Sequence, residues 1–554
     1  MIVPASRFRL ICGTSAMTTY TFNTGAAQHT FCKHCGIKPF YTPRSNPDGF
    51  SVNLRCIERS HIESIEVDIF DGQNWEQNAA SLAHLSREDK CSMLPRRVTP
   101  QDHNNKQGIS VNKQLGQFYL FRQRRFVPFF ITQFLGALND NLFKNALLVI
   151  IVSSGISASD SNTNFLTNLA AGLFILPFFL FSTTAGQLAD KYDKAWLIRR
   201  IKFAEILIML TGSYALFSSD ITLMLGVLFL LGVQSAFFGP IKYSIIPQHL
   251  AAEELMAGNA QVGMGTFTSI LIGTLMGAWL VSYDGGALLV GAAAVMLALI
   301  GWRASCAIPD APADSSDIRI SLNPIADAAG NIRLARENMT VFYCTMGISW
   351  FWLFGGSFLT QVPNFAVTVL QGHATLISIL LGAFIVGVAI GSLLCAKISG
   401  RQVEPGLIPF GAIGLTLFSA DLFFASTSYQ LANTAISAVM PLQFLSLSGG
   451  VRIFVDLAAI GMFGGMFIVP LYAMVQSRTE SHKRARVIAA NNVFNALFMV
   501  AGALIGIVCL SIVQMTIPQF FALMSGANLL FLALLVWRVP EFKLRFLAWI
   551  TNNR

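Results

Sequence analysis

Charge is what this sequence has least of. Asp, Glu, Lys and Arg together make up 12% of its 554 residues, against 54% hydrophobic residues, too little polar surface to coat a soluble protein, so lipid is the expected solvent. The net charge of +9 does not point to nucleic acid. Its cations stand in short clusters between long apolar runs, and no groove-reading motif accompanies them. A secretory leader is also missing: the start MIVPASRFRLIC has no basic region followed by an apolar stretch and a small-residue cleavage site. Residues 1 to about 120 are therefore expected in a reducing cytoplasm. There are nine cysteines, and their only close pair, Cys32 and Cys35, reads as a metal or redox site rather than a disulfide.

The chain changes character twice. Up to about residue 95, short runs such as Phe8–Cys12, Met17–Phe22, Phe50–Leu54 and Ile65–Phe70 alternate with Gly, Asn, Pro and Asp turns, which predicts a small β-rich unit. Residues 96–120 are polar and read as a linker. Beyond them, runs of bilayer length predict spans near 127–153, 165–189, 195–217, 221–246, 259–283 and 286–306. A second six are predicted near 339–369, 374–398, 406–427, 451–477, 485–513 and 517–538. This gives six-helix halves over 121–306 and 339–540, a polar loop over 307–338 and a tail over 541–554.

Lys and Arg resist translocation and collect in cytoplasmic loops. The stretches 122–125, 191–202, 303–336, 397–401, 478–486 and 538–545 are basic, whereas the alternate loops carry no cations except Arg452. That alternation places both termini in the cytoplasm of a bacterial-type inner-membrane protein.

Local patterns sharpen the picture. The segment GQLADK at 186–191 resembles the loop signature of the major facilitator superfamily, departing from it at Asp193, where Gly is usual. The resemblance implies two lobes around a midplane cavity, with Gly186 allowing close helix approach and Asp190 and Lys191 pairing across a cytoplasmic gate. In the second half GSLLCAKISGR, 391–401, occupies the equivalent place, but Cys395 stands where the acid would be. Small residues spaced by four (Gly265, Ser269, Gly273 and Gly277, then Ala383, Gly387 and Gly391) read first as helix-packing stripes.

Three further segments, FLGALNDNLFKNALL at 134–148, SAFFGPIKYSIIPQHL at 235–250 and VPEFKLRFLAW at 539–549, resemble the lysophospholipid transporter family. The resemblance implies an all-α, twelve-helix carrier that flips lysophosphatidylethanolamine-type lipids to the cytoplasmic leaflet. A separate acyltransferase would re-acylate them, because the chain stops at Arg554, where resembling fused proteins begin that domain. On the first span Gln133, Gly136, Asp140 and Lys144 share one face. Asp140 would hold the lipid ammonium and Lys144 the phosphate, or the two would form a mutual ion pair. Asn139, Asn141 and Asn145 add amides, and Glu205 is a further mid-span candidate. Lys242, beside Tyr243, is long enough to snorkel to the interface. Arg452 and Asp456, one turn apart, read as an outer gate or a plain salt bridge. Trp350, Phe351, Trp352 and Phe354 read as an acyl-chain path or as packing. The alternative within the same fold is a carrier of another small solute or drug.

In the front segment FCKHCG at 31–36 supplies two thiolates on a tight turn, where a structural zinc takes four donors. The stretch around it resembles the glutathione-dependent formaldehyde-activating, or centromere protein V, family. That resemblance implies a β-rich zinc fold with carbon–sulfur lyase chemistry, Cys32 and Cys35 matching its structural pair. The family's upstream cysteine pairs have no counterpart after Met1, so no lyase activity is expected. Zinc is the one cofactor the chain suggests and the transporter itself needs none; a membrane-tethered lyase is the alternative from another functional class.

Overall fold

A computed structural model describes residues 2–8, 14–21, 26–33, 37–53, 82, 85, 118–153, 160–314, 318, 320–321, 323–400, 402–433 and 438–551. The chain divides into two compact units, Met1–Val111 and Asn112–Arg554.

The first unit holds a five-stranded antiparallel sheet of β1 (Ile2–Pro4), β2 (Met17–Thr21), β3 (Gln28–Cys32), β4 (Phe40–Thr42) and β5 (Gly49–Val52) in the order β1-β5-β4-β3-β2. Thr19 faces Thr30 across β2 and β3, their hydroxyls 3.1 Å apart. Phe8 is not in a strand; it packs its ring on Phe40 and Phe50 at centroid distances of 4.7 and 4.4 Å. The rest of the run predicted with Phe8, the run Ile65–Phe70, Cys35 and Cys56 lie outside the described residues.

The second unit is helical. Its first half comprises α1 (Val127–Ser153), α2 (Asp160–Lys191), α3 (Lys194–Ser218), α4 (Ile221–His249), α5 (Leu255–Val281) and α6 (Gly286–Ser305). After a connecting segment that contains α7 (Pro324–Arg336) come α8 (Met339–Asn364), α9 (Ala374–Ile398), α10 (Leu407–Ala432), the short α11 (Pro441–Ser446), α12 (Gly450–Arg478), α13 (Ser481–Ile507), α14 (Ile517–Arg538) and α15 (Pro540–Ile550). Among the described residues eleven helices are long and apolar enough to cross a bilayer. The twelfth long helix, α8, falls short because Thr, Ser, Gly, Tyr and Trp dilute its apolar run, although it packs within the second half's core.

Two segments read as loop and tail are ordered as helices. In α7 Asn323 accepts from the Ala326 N–H at 3.1 Å, a cap reinforced by Pro324 at the first position. In α15 the Glu541 carboxylate is gripped by Arg478 of α12 at 2.7 Å.

The small-residue stripes seat backbone on backbone. A side chain at Gly273 or Gly277 would strike the carbonyl oxygens of Leu138 and Leu142 on α1, and one at Gly387 or Gly391 those of Ala458 and Met462 on α12. This is the packing role of such stripes. The two halves differ inside. The second is built on one large apolar cluster around Phe354, Phe467 and Phe521, which reaches Met256, Ala260 and Phe267 of the first half. The first has two apolar clusters, one around Phe126, Ile198 and Ile245 and one around Phe143, Met209 and Leu228, with polar residues between them.

Candidate functional site

The layer that splits the first half's core is built from α1, α3 and α4. Residue spacing on α1 puts Gln133, Gly136, Asp140 and Lys144 on one stripe. Asp140 accepts from the Ser235 hydroxyl of α4 at 2.5 Å, and its other oxygen, Oδ1, is buried without a partner. Lys144 does not pair with Asp140: its ammonium donates to Asn141 Oδ1 at 3.0 Å and lies 5.6 Å from the Phe174 ring. Among the described residues no ion pair joins the acid and the base, so the mutual salt bridge is not formed. Asn141 donates to Ala137 O at 2.8 Å, and Asn145 to Thr274 Oγ1 at 3.1 Å.

Glu205 is saturated. It accepts from Lys202 at 2.6 Å, Gln234 at 2.9 Å and Asn139 at 3.2 Å. Its partner corrects the sequence reading, which counted Lys202 among the basic loop residues 191–202: both Lys202 and Glu205 are 1% exposed. Lys202 lies two turns inside α3, three residues from Glu205, and its ammonium fills the space that a side chain at position 136 would need. Gly136 is therefore fixed by an ion, not by a helix. Glu205 acts as the counter-ion of Lys202.

Lys242 also stays inside instead of snorkelling. It is 9% exposed and donates to Thr266 Oγ1 of α5 at 2.7 Å. Thr266 lies 3.0 Å from Gln133 Oε1, while Gln133 Nε2 is buried and unpartnered. Among the described residues Lys242 has no carboxylate partner, in contrast to Lys202.

At the basic end of the bundle the two halves are clamped together. Asp190, fully buried, accepts from Arg486 Nε at 3.0 Å and from the Ala485 N–H at 3.1 Å, both on α13. Gly186 admits this approach, since a Cβ there would stand 2.6 Å from that of Ala489. The partner of Asp190 is thus Arg486 of the other half, whereas Lys191 donates to Ile318 O in the connecting segment at 2.9 Å. Asp193 has its own role: it caps α3 through Trp196 N–H at 2.6 Å and accepts from Ala311 N–H at 2.8 Å. On the opposite seam the contact is uncharged. Asn259 of α5 and Gln476 of α12 exchange amide hydrogen bonds of 2.6 and 3.0 Å, and Cys395 is buried with its Sγ 3.8 Å from Met466 O. Between the two seams Tyr243 stacks on Tyr472 across the halves, centroids 4.0 Å apart.

At the other end Arg452 pairs with Asp421 of α10, Nε to Oδ2 at 2.9 Å, and not with Asp456. Asp456 is 2% exposed and keeps one oxygen unpartnered. Trp350 donates to Asn528 Oδ1 at 2.8 Å and stacks on Phe531, which makes it part of the second half's core. Phe351 and Trp352 face Phe267 of the first half at 6.0 and 6.1 Å.

In the first unit Cys32 closes β3, and Cys35 is outside the described residues. Among the described residues no three His, Cys, Asp or Glu side chains stand within reach of one ion. They supply one thiolate of the expected pair, short of the four donors of a structural zinc.

Known proteins place this geometry. The chain is similar to the lysophospholipid transporter LplT of Klebsiella pneumoniae (strain 342), 24% identical over 360 residues that cover 61% of this chain and 82% of that one. It is equally similar to LplT of Serratia proteamaculans (strain 568), 24% identical with coverage of 65% and 81%. Among solved structures, the human organic anion transporter MFSD10 matches with a TM-score of 0.56 at 16% identity, over 74% of this chain and 99% of that one. The E. coli fucose:proton symporter FucP matches with a TM-score of 0.57 at 13% identity, over 75% and 99%. Likeness at such identities concerns the fold alone. The sequence pattern of the Major Facilitator Superfamily matches residues 129–455, more than half of the chain; with twelve long helices among the described residues, in two sixes meeting across a clamped end, this multi-pass membrane transporter belongs to that superfamily.

Proposed function

We propose that the transporter moves a lysophospholipid of the phosphatidylethanolamine type to the cytoplasmic leaflet of an inner membrane, with both termini on the cytoplasmic side. A separate acyltransferase would then complete the lipid. The observation that carries this reading is Asp140: a carboxylate buried inside an apolar span, with one oxygen held by Ser235 and the other without a partner. Charge at that depth is costly and is retained where it meets a charged ligand or partner.

Size supports Lys144 as the companion. Four residues on one helix span about 6 Å, a distance suited to an ammonium and a phosphate joined by two carbons. Lys242 stands seven residues from Ser235 on α4, about 10 Å along the axis, too far to share one head group with Asp140. Lys202 is already neutralised by Glu205, which leaves Asp140 and Lys144 as the pair with unspent charge on α1. The similarity to proteins named lysophospholipid transporters, spanning about four-fifths of their length, supports the same substrate class.

The test is transfer of a labelled lysophosphatidylethanolamine in proteoliposomes. Asp140→Asn and Lys144→Ala are expected to slow transfer at least tenfold, with Ser446→Ala on the short helix α11 as a control that keeps the wild-type rate. Wild-type rates in both charge variants would remove the site, and no transfer by the wild-type chain would remove the substrate.

A further inference from the structure

A groove of about 500 Å3 runs between the start of α1 and the end of α6, away from the polar layer. Its walls are Val127, Pro128 and Ile131 on one side and Leu299, Ile300, Ala304 and Ala307 on the other, and its one charged lining residue is Arg303. Ala304 and Ala307 are the smallest of these wall residues. The groove's volume is on the scale of a ligand cavity.

Arg303 is exposed, and among the described residues it has no acidic partner and no hydrogen bond. Several cations at this end are engaged, Arg125 with Glu254, Lys194 with Asp314 and Arg486 with Asp190, whereas Arg303 is the one that lines the groove. An unpaired cation at the mouth of an apolar groove, at the bundle's basic end, complements an anionic head group whose tail follows the groove inward.

We propose that this groove binds one acyl chain of an anionic diacyl glycerophospholipid, with Arg303 on its phosphate, as a site separate from the transport pathway. The proposal goes beyond the transported substrate and does not depend on it. Native mass spectrometry of the full chain in detergent tests it with dioleoyl phosphatidylglycerol and dioleoyl phosphatidylethanolamine as the probes. The wild-type chain is expected to bind the anionic lipid about fivefold more tightly, the worth of one interfacial cation. Arg303→Ala should abolish that preference, Arg303→Lys should keep it, and Ala304→Phe should weaken both lipids by filling the groove. Equal binding of the two lipids by wild type, a preference that survives Arg303→Ala, or full binding by Ala304→Phe would each overturn the proposal.

Discussion

The two halves of the bundle share a helix count and a packing style, yet they solve the interior differently. In the second half the apolar side chains form one cluster, with buried polar groups such as Asp456, Asn491 and Asn528 set into it. In the first, a layer containing Gln133, Asn139, Asp140, Lys202, Glu205 and Gln234 separates two apolar clusters. Apolar packing favours rigidity, whereas a buried polar layer is stable only when its members satisfy one another. Most of this one is satisfied. The exceptions, Asp140 Oδ1, Asn139 Oδ1 and Gln133 Nε2, mark where a polar ligand would gain most. In the proposed function this layer is where the head group is met.

The sharpest way to break the comparison is to unpair the ions. Lys202→Ala strands a buried carboxylate and should cost about 3–5 kcal/mol of stability, while Lys202→Met with Glu205→Met together should recover most of that loss. In the second half Ser349→Ala removes a neutral hydroxyl shared between Asn495 Oδ1 at 2.8 Å and Thr345 O at 3.0 Å, and should cost about 1 kcal/mol. Thermal melts in detergent read both. Similar losses from Lys202→Ala and Ser349→Ala would mean that the halves do not differ as described.

The clamped end sharpens the contrast on a smaller scale. Asp190→Asn weakens a charge-assisted contact and should shift the equilibrium toward separation of that seam by about 1.5–3 kcal/mol. Asn259→Ala on the uncharged seam should shift it by about 1 kcal/mol. Thiol labelling of a cysteine placed at position 489 measures each shift. The stripes should behave alike in both halves: Gly273→Ala and Gly391→Ala force backbone apart and should each cost about 1–3 kcal/mol. The smallest expected effect is with pH. The Arg478 guanidinium holds Glu541 below the usual carboxylate range, so the docking of α15 contributes stability above that range. It is lost as the pH falls through the depressed value, which limited proteolysis of the tail between pH 6 and pH 3 would follow.

The helices of the bundle were legible because bilayer-length apolarity is a local property. The predicted span over 127–153 coincides with α1, that over 374–398 with α9 and that over 517–538 with α14. Pairing was not legible, because it depends on residues far apart in the chain. Arg486 lies 296 residues from Asp190 and Asp421 lies 31 from Arg452, and nothing near either carboxylate announces its partner. Lys202 was misplaced for a different reason: it ends a run of loop cations, and only the spacing to Glu205 hinted that it turns inward. The helix α7 escaped notice because its thirteen residues, with low overall apolarity, read as loop by composition.

The segment that joins the halves has a consequence for the bundle as a whole. Lys194 is fully buried and its ammonium is neutralised by Asp314 at 2.6 Å, a residue of that joining segment. Two fragments expressed from separate genes would therefore keep this buried pair within one piece only if the break came after Asp314. A break beyond Glu337 leaves every ionic tie of the first fragment's own end in place, whereas one at Cys306 hands the counter-charge to the wrong piece and asks it to find its way back.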